Sequence, residues 1–329
     1  MRLSVIGLIL TFALGVLVAP LAVDAQAPVK AARIGWLRAG PETPEFRRNF
    51  DAVTQTLRDY GYSVGQNVTI AVRSQTELTT PLSALMGELL QFQADVIVVN
   101  GPAATEVARQ ATTTVPIVAT DWERDPVASG LVERYSHPGG NLTGVFLDFP
   151  EFSGKWLELL REVVPGLTRV AVLWDPATGP VHVRGLESAA HAVGVQLHVL
   201  EVRRVDDFAG AFRAAMPEHP DAVIALSAPL VSSHSQHLAA LAVTHHLPAI
   251  TLFPHFARDG GLMAYGPDTT DIYRPAARLV AKILHGATPA DLPIERPMQF
   301  KLVINLKTAQ ALGLTIPPTI LFQADEIIR

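Results

Sequence analysis

The sequence predicts an α/β protein of two similar lobes, each a parallel sheet flanked by helices. Short apolar runs alternate with amphipathic stretches from about residue 32 onward, a pattern typical of parallel strands covered on both faces. The run 94–99 leads through a helical stretch to 115–118, and 221–226 leads in the same way to 247–250. This internal sequence similarity favours two lobes of similar fold over one large sheet.

In the first half, the clearest helix begins at Thr43 and Pro44, which suit the N-cap and the first helical position. Its apolar side chains recur on one face, and Gly61 is a suitable stop. The other expected elements are strands at 32–37, 67–73, 95–99 and 115–119 and helices at 81–92 and 102–110.

The second half repeats this alternation. We expect strands at 169–174, 195–202, 222–226, 249–252 and 300–305, a turn plus strand at 260–266, and helices at 181–193, 206–215, 232–245, 271–284 and 307–312. The domains that follow are lobe 1 at residues 28–147 plus about 261–287, and lobe 2 at 148–260 plus about 288–329.

The N-terminus has the sequence pattern of an export signal. Arg2 precedes an apolar run that ends near Val18, and small residues at 23–27 fit a cleavage site, so we interpret residues 1–27 as a secretory signal peptide. The alternative is a permanent membrane anchor, because the run approaches spanning length. The chain has no cysteine, which excludes a lipid-modified N-terminal cysteine and thiol catalysis. We therefore expect a protein free in the periplasm, and a monomer.

Composition and motifs argue against several other functions. The net charge of −5 supplies no basic surface for nucleic acid. No phosphate-binding or dinucleotide-binding glycine motif is present, and the G-x-S-x-G match at 61–65 follows a helix instead of a strand. His234 and His237 are better read as part of a polar helix face than as metal ligands. We expect no enzyme activity, no cofactor and no metal.

The ligand site is expected between the lobes. In open parallel sheets ligands bind beyond the carboxyl ends of the strands, and two hinged lobes that face each other form a closing cleft. The candidate ligand contacts are Trp36, Arg38, Asn100, Gly101, Ala103, Thr120, Asp121, Trp122, Asp148, Trp174, Ser227, Phe253 and Tyr265.

Some of these candidates have two readings. The helix start at 101–105 could hold an anion on its free N–H groups, or be wetted by water. Asp121 could pair with a ligand amine or hydroxyl. Trp36, Trp122 and Trp174 could sandwich a planar ligand, or pack between the lobes.

Several segments resemble one known family. Residues 127–132 and 137–144 are similar to its DPVxxGLV…PGGNxTG signature, and 260–266, 300–309 and 313–328 are similar to its later motifs. The chain resembles the ABC transporter substrate-binding proteins that include tryptophan-binding members. The resemblance implies a periplasmic-binding-protein fold of type I, with three crossovers, and ligand contacts at 101–105 and near Asp121. The chain departs from the commoner pattern at 100–102 and 121–124, where the ligand should bind.

Together these observations predict the solute-binding component of an ABC importer. It would capture a small molecule, an amino acid or another aromatic or carboxylate compound, and present it to a permease in the inner membrane with its cytoplasmic ATPase. A periplasmic sensor that presents its ligand to a membrane receptor kinase is an alternative, as is a periplasmic hydrolase.

Overall fold

A computed structural model describes residues 31–76, 80–122, 125–147 and 150–329. The expected signal peptide lies outside these residues, as does Asp148. Residues Ala32–Arg329 form one compact unit, with its strands in two separate sheets.

Lobe 1 is built on a five-stranded, all-parallel sheet of order β2-β1-β3-β4-β5. Its elements are β1 (Ala32–Ala39), α1 (Pro44–Asp59), β2 (Val68–Gln75), α2 (Leu82–Gln91), β3 (Val96–Asn100), α3 (Gly101–Ala111), β4 (Ile117–Trp122) and β5 (Leu142–Phe146). β3 is wholly buried, which explains its run of β-branched residues. The Thr43 hydroxyl caps α1 by accepting from the N–H of Phe46 at 3.1 Å, as its sequence predicts.

Lobe 2 is built on a seven-stranded sheet of order β12-β11-β10-β9-β8-β6-β7. Its strands are β6 (Arg169–Trp174), β7 (Gln196–Glu201), β8 (Ala222–Ala225), β9 (Ala249–Thr251), β10 (Met263–Gly266), β11 (Lys301–Asn305) and β12 (Glu326–Ile328). The helices of the second half are α4 (Pro150–Val163), α5 (Val181–Val193), α6 (Asp207–Ala215), α7 (Pro229–Ser233), α8 (Ser235–Thr244), α9 (His255–Arg258), α10 (Thr270–Leu284), α11 (Leu306–Ala311) and α12 (Pro318–Gln323).

The chain crosses between the sheets three times, and these crossings form the hinge region. The first crossing joins β5 to α4, which packs on β9 and β10. The second joins β10 to α10, which packs back on α1, β4 and β5 of lobe 1. The third returns from α10 to β11, and β11 therefore runs antiparallel to β10.

The expected lobe boundaries differ from the sheet membership at two places. β10 falls within the segment expected in lobe 1, yet it pairs with β9 and extends the seven-stranded sheet. Glu295 falls within the segment expected in lobe 2, yet its backbone bonds to Phe146 and Gly144 beside β5. In both cases the segment supplies hydrogen-bond partners to an adjacent strand, since buried backbone groups need partners.

Other differences are local. The helix expected at 232–245 is two helices, because His234 leaves helical geometry (φ −122°, ψ 27°) between α7 and α8. β5 was not among the expected elements. Among the described residues, no helix is both long enough and apolar enough to cross a bilayer.

Candidate ligand-binding cleft

The carboxyl ends of β1 and β3 in lobe 1 face α7 of lobe 2 across a narrow cleft. The space between them is a cavity of about 40 Å³. Its lining residues are Arg38, Ala39, Thr43, Glu45, Phe46, Asn49, Asn100, Pro229, Ser232, Ser233 and Tyr273. Both lobes therefore contribute to one pocket at the strand ends, where the alternating pattern predicts a ligand site.

Arg38 is a buried cation at the lobe 1 side of this cleft. Its side chain is 6% exposed, and one guanidinium nitrogen donates to the carbonyls of Gly40 and Pro41, at 3.2 and 2.8 Å. The guanidinium lies over the Phe46 ring, 4.1 Å from its centroid, a cation–π arrangement. Burial lowers the pKa of Arg38, while Tyr273 opposes that shift. The group keeps its charge, because arginine titrates far above physiological pH.

Asn100 joins three elements by its side-chain amide. Its oxygen accepts from the indole N–H of Trp36 at 2.5 Å, and its NH₂ group donates to the hydroxyl of Tyr273. Trp36 is wholly buried, 5.8 Å from Tyr273 between ring centroids. These two hydrogen bonds of Asn100 link β1, β3 and α10 to one another beside the cleft.

The first two turns of α1 bring an acid and an amide to the cleft. The carboxylate of Glu45 accepts from the hydroxyl of Thr269, just before α10, and pairs with Arg48. Asn49 lies one turn further on and is 4% exposed, and its side-chain oxygen has no hydrogen-bond partner among the described residues. The cleft therefore combines a cation with an acid and an unpartnered acceptor.

The lobes touch through two glycines of lobe 1. A Cβ atom added at Gly101 would lie 2.8 Å from Cγ of Pro229, and one added at Gly40 would lie 2.9 Å from the Ser233 hydroxyl oxygen. Both glycines have positive φ, +76° and +97°, which a side chain would strain. The structure is therefore a closed form, with the end of β1 and the start of α3 against α7.

The structure gathers only part of the predicted site in this cleft. Arg38 and Asn100 line it, Gly101 meets α7, and Trp36 supports Asn100 from below. Ala103 lies on the exposed face of α3.

The other lobe 1 candidates do not line the cavity. Thr120 is buried and donates to the Val99 carbonyl at 3.1 Å. Trp122 is wholly buried in the core of lobe 1. Asp121 belongs to β4, but its side chain lies outside what the structure describes.

The lobe 2 candidates lie in three places. Ser227 and Phe253 line a second, smaller cavity behind α7. Trp174 is half-buried against the core and donates to the Gly179 carbonyl at 3.1 Å. Tyr265 lies at the hinge, 6.2 Å from Phe152 between ring centroids. The structure thus disperses the three tryptophans, which do not face one another across the cavity.

Sequence reasoning missed the contribution of α1, α7 and α10 to the cleft. Glu45, Asn49, Ser232 and Tyr273 all line it. One signal was available, because Asn49 falls among the apolar residues of the buried face of α1. A polar residue there indicates a buried partner or a ligand.

The two histidines that the sequence places three residues apart, His234 and His237, make contacts within lobe 2. The Nδ1 atom of His234 lies 2.9 Å from the Leu230 carbonyl, and the His237 ring stacks on Phe208. Within the described parts of the chain, no three histidine or acidic side chains are grouped to hold a metal ion.

Two α/β lobes joined by three crossings, with their strand ends facing across a cleft, define the type I periplasmic binding protein fold. The chain belongs to the ABC transporter substrate binding protein family, whose model matches residues 42–328.

Similar proteins are found at low sequence identity. The tyrosine-binding protein of Clostridioides difficile is 22% identical over 276 residues, which cover 83% of this chain and 79% of that protein. A conserved domain protein of Vibrio cholerae is similar in structure, with a TM-score of 0.84 and 25% identity over 91% of this chain and 100% of that one. An ABC domain from Streptococcus pneumoniae, solved with L-Trp, has a TM-score of 0.81 and 23% identity over 90% of this chain and 99% of that one.

Proposed function

We propose that this protein is the periplasmic solute-binding component of an ABC importer, and that it closes on an α-amino acid or a related aromatic carboxylate. Residues 1–27 direct its export, and the protein acts as a monomer. The loaded, closed form is recognised by a permease in the inner membrane, which works with a cytoplasmic ATPase. The family membership supports this role.

One observation carries the proposal: two buried polar atoms at the cleft have no partner among the described residues. These atoms are Nε of Arg38, a donor, and the side-chain oxygen of Asn49, an acceptor. Leaving a buried donor or acceptor unpaired costs about 1–3 kcal/mol. A ligand that brings both an acceptor and a donor would remove both penalties at once.

An α-amino acid has this pairing of groups. Its carboxylate suits the guanidinium of Arg38, since charge-assisted hydrogen bonds are the strong ones. Its ammonium group suits the Asn49 oxygen and the nearby Glu45 carboxylate. The tyrosine-binding relative and the L-Trp complex of a structural neighbour support this choice of ligand class.

The size of the cleft implies that the lobes must part before a ligand enters. Pockets for small organic ligands hold about 300–1,000 Å³, whereas the cavity here is about 40 Å³. Binding therefore selects among lobe arrangements, and the ligand shifts the open–closed equilibrium by its difference in affinity for the two.

Calorimetric titration of the purified protein with L-amino acids and with aromatic carboxylates tests the ligand class. We expect Arg38→Gln to weaken binding at least about tenfold, a loss of about 1.4 kcal/mol. Arg33→Gln is the matched control, because Arg33 lies on the same strand at its opposite end and bonds to the Phe92 carbonyl. Equal affinities of the two variants for the best ligand would refute the assigned role of Arg38.

Uptake measurements test the transport role. Cells that lack this protein should lose uptake of the ligand found by calorimetry, and periplasmic extracts of the parent strain should contain the protein. Complementation with the Arg38→Gln variant should restore the protein but not the uptake. Normal uptake in the deletion strain would contradict an importer role, even if the binding result stands.

A further inference from the structure

The guanidinium of Arg38 is held by the protein at one nitrogen and from one side. Its Nη1 atom donates to the carbonyls of Gly40 and Pro41, at 3.2 and 2.8 Å, and lies 3.5 Å from the hydroxyl oxygen of Ser74. The central carbon of the group lies over the Phe46 ring, 4.1 Å from its centroid. These contacts fix the position of the group and leave the rest of its edge for a ligand.

The remaining donors of Arg38 lie together on one edge of the guanidinium plane. All hydrogen bonds from Arg38 to described residues leave from Nη1. The Nε atom is buried and has no partner among those residues. Two parallel N–H bonds from the Nε–Nη2 edge match the two oxygens of a carboxylate. The edge left for a ligand is therefore one that binds a carboxylate through two hydrogen bonds.

Two acids lie in the same region, and neither bonds to the Arg38 guanidinium. Glu42 acts on Arg38 electrostatically, and its own side chain is exposed. The carboxylate of Glu45 accepts from Thr269 and pairs with Arg48. The Nε–Nη2 edge is therefore not taken by a carboxylate of the described chain.

Phe46 is itself fixed by its neighbours. It is 7% exposed, and it meets Trp36 edge to face with 5.5 Å between ring centroids. Phe50, one turn further along α1, lies 6.1 Å away. A cation is attracted to the face of an aromatic ring, most strongly where water is excluded. The Phe46 ring therefore limits how the guanidinium of Arg38 can turn.

We propose that Phe46 is a positioning residue for ligand recognition, which orients Arg38 so that its Nε–Nη2 edge binds a carboxylate through two hydrogen bonds. This inference rests on the amino-acid site proposed above and adds the residue that orients its cation. Without the ring, the guanidinium samples orientations that cannot bond to both oxygens. The apparent affinity then falls with the fraction of protein that holds the competent orientation.

Titration with an amino acid and with its α-amide tests the proposal. The probe is whichever proteinogenic L-amino acid the parent protein binds most tightly, measured by calorimetry, with ligand-observed NMR for the weaker amide. The amide lacks the charge and the second acceptor oxygen. We expect Phe46→Leu to weaken binding of the amino acid by about threefold to thirtyfold, and binding of the amide much less. The ratio of the two affinities should therefore fall, which a merely structural role of Phe46 would not cause.

Phe50→Leu is the matched control on the same helix. The Phe50 ring stacks on Trp36 with 5.8 Å between centroids, but Phe50 does not line the cleft cavity. The same substitution there should leave the ratio of acid to amide affinity at the parent value.

Arg38→Lys tests the paired donors separately and decides the question if Phe46→Leu does not fold. Lysine keeps the positive charge but lacks the planar pair of N–H donors. We therefore expect Arg38→Lys to weaken binding of the amino acid by about tenfold or more.

The inference is wrong if Phe46→Leu and Phe50→Leu give the same ratio of affinities, or if Arg38→Lys binds the amino acid as tightly as the parent. Either result leaves the proposed ligand site standing, provided that Arg38→Gln weakens binding. If Arg38→Gln also binds like the parent, or if the parent binds no L-amino acid, the proposed site or its ligand class is wrong and this inference fails with it.

Discussion

Replacement of Gly101 by alanine should open the lobes. Gly101 begins α3 with φ +76°, and its added Cβ would lie 2.8 Å from Cγ of Pro229 in lobe 2. The substitution therefore has two effects of different origin. One is backbone strain within lobe 1, and the other is a steric contact that exists only when the lobes are closed.

The two effects have separable magnitudes. Left-handed backbone geometry costs a residue with a side chain about 1–2 kcal/mol, and this cost applies to the open and the closed form alike. Overpacking by one methyl group costs about 1–3 kcal/mol, and here it applies to the closed form alone. We therefore expect a lower melting temperature and a shift toward the open form by about five- to 150-fold.

Truncation of the opposing side chain distinguishes the two effects. Pro229→Ala removes Cγ and Cδ, the atoms that the new methyl group would meet. In the double variant, small-angle X-ray scattering should give the radius of gyration of the parent, and ligand affinity should recover. The loss of melting temperature should remain, because the strain at residue 101 is unchanged.

The reasoning fails under two results. A Gly101→Ala protein that is as compact as the parent in scattering, and equal to it in affinity, would show that α3 and α7 do not meet in solution. A double variant that recovers stability but not affinity would reverse the assignment of the two effects.

Three further predictions concern stability. Burial lowers the pKa of His255 from 6.5 to about 4. Between these pH values the unfolded chain binds a proton that the folded chain does not, so the free energy of unfolding should fall by roughly 3 kcal/mol as the pH drops from 6.5 to about 4. In urea unfolding, His255→Gln should make the free energy of unfolding less dependent on pH in this range. Trp156→Ala empties a buried site and breaks an indole bond to the Tyr265 carbonyl, which should cost about 3–5 kcal/mol by urea unfolding. The carboxylate of Asp221 accepts hydrogen bonds from Thr168 and Arg169 at the start of β6, so Asp221→Ala should lower the free energy of unfolding by about 1–2 kcal/mol in the same assay. The side chain of Asp206 makes no capping bond, so Asp206→Ala should lower it less.

Elements with a clear apolar period were predicted well from the sequence, and elements without one were not. The buried strand β3 and the amphipathic helix α1 follow directly from their apolar periods. β5 was not predicted, although it is as long as β3, because it directly follows a loop that contains Gly139 and Gly140. The strand β11 was predicted, but its antiparallel direction has no local signal, since that direction is set by the return from α10 in the other lobe.

In the candidate site, residues that follow predicted strands were found from the sequence, and residues brought in by tertiary packing were not. Arg38 and Asn100 follow predicted strands directly, so a rule about strand ends was enough to find them. Tyr273 reaches Asn100 across 173 residues of sequence, and only the packing of α10 on lobe 1 brings them together. The sequence could not tell whether the tryptophans line the cleft. A tryptophan ring is large enough to stack on a ligand, and equally large enough to fill a core.

The polar atoms of the cleft link ligand binding to closure through desolvation. With the lobes closed, the described protein offers no partner to Nε of Arg38 or to the side-chain oxygen of Asn49, whereas water reaches both once the lobes part. Each unpaired atom penalises closure by about 1–3 kcal/mol. A ligand that bonds to both atoms removes this free-energy penalty from the closed form and not from the open form. The ligand therefore shifts the equilibrium toward the closed form. A compound of equal size that carries neither group should therefore bind without closing the lobes, which scattering can detect.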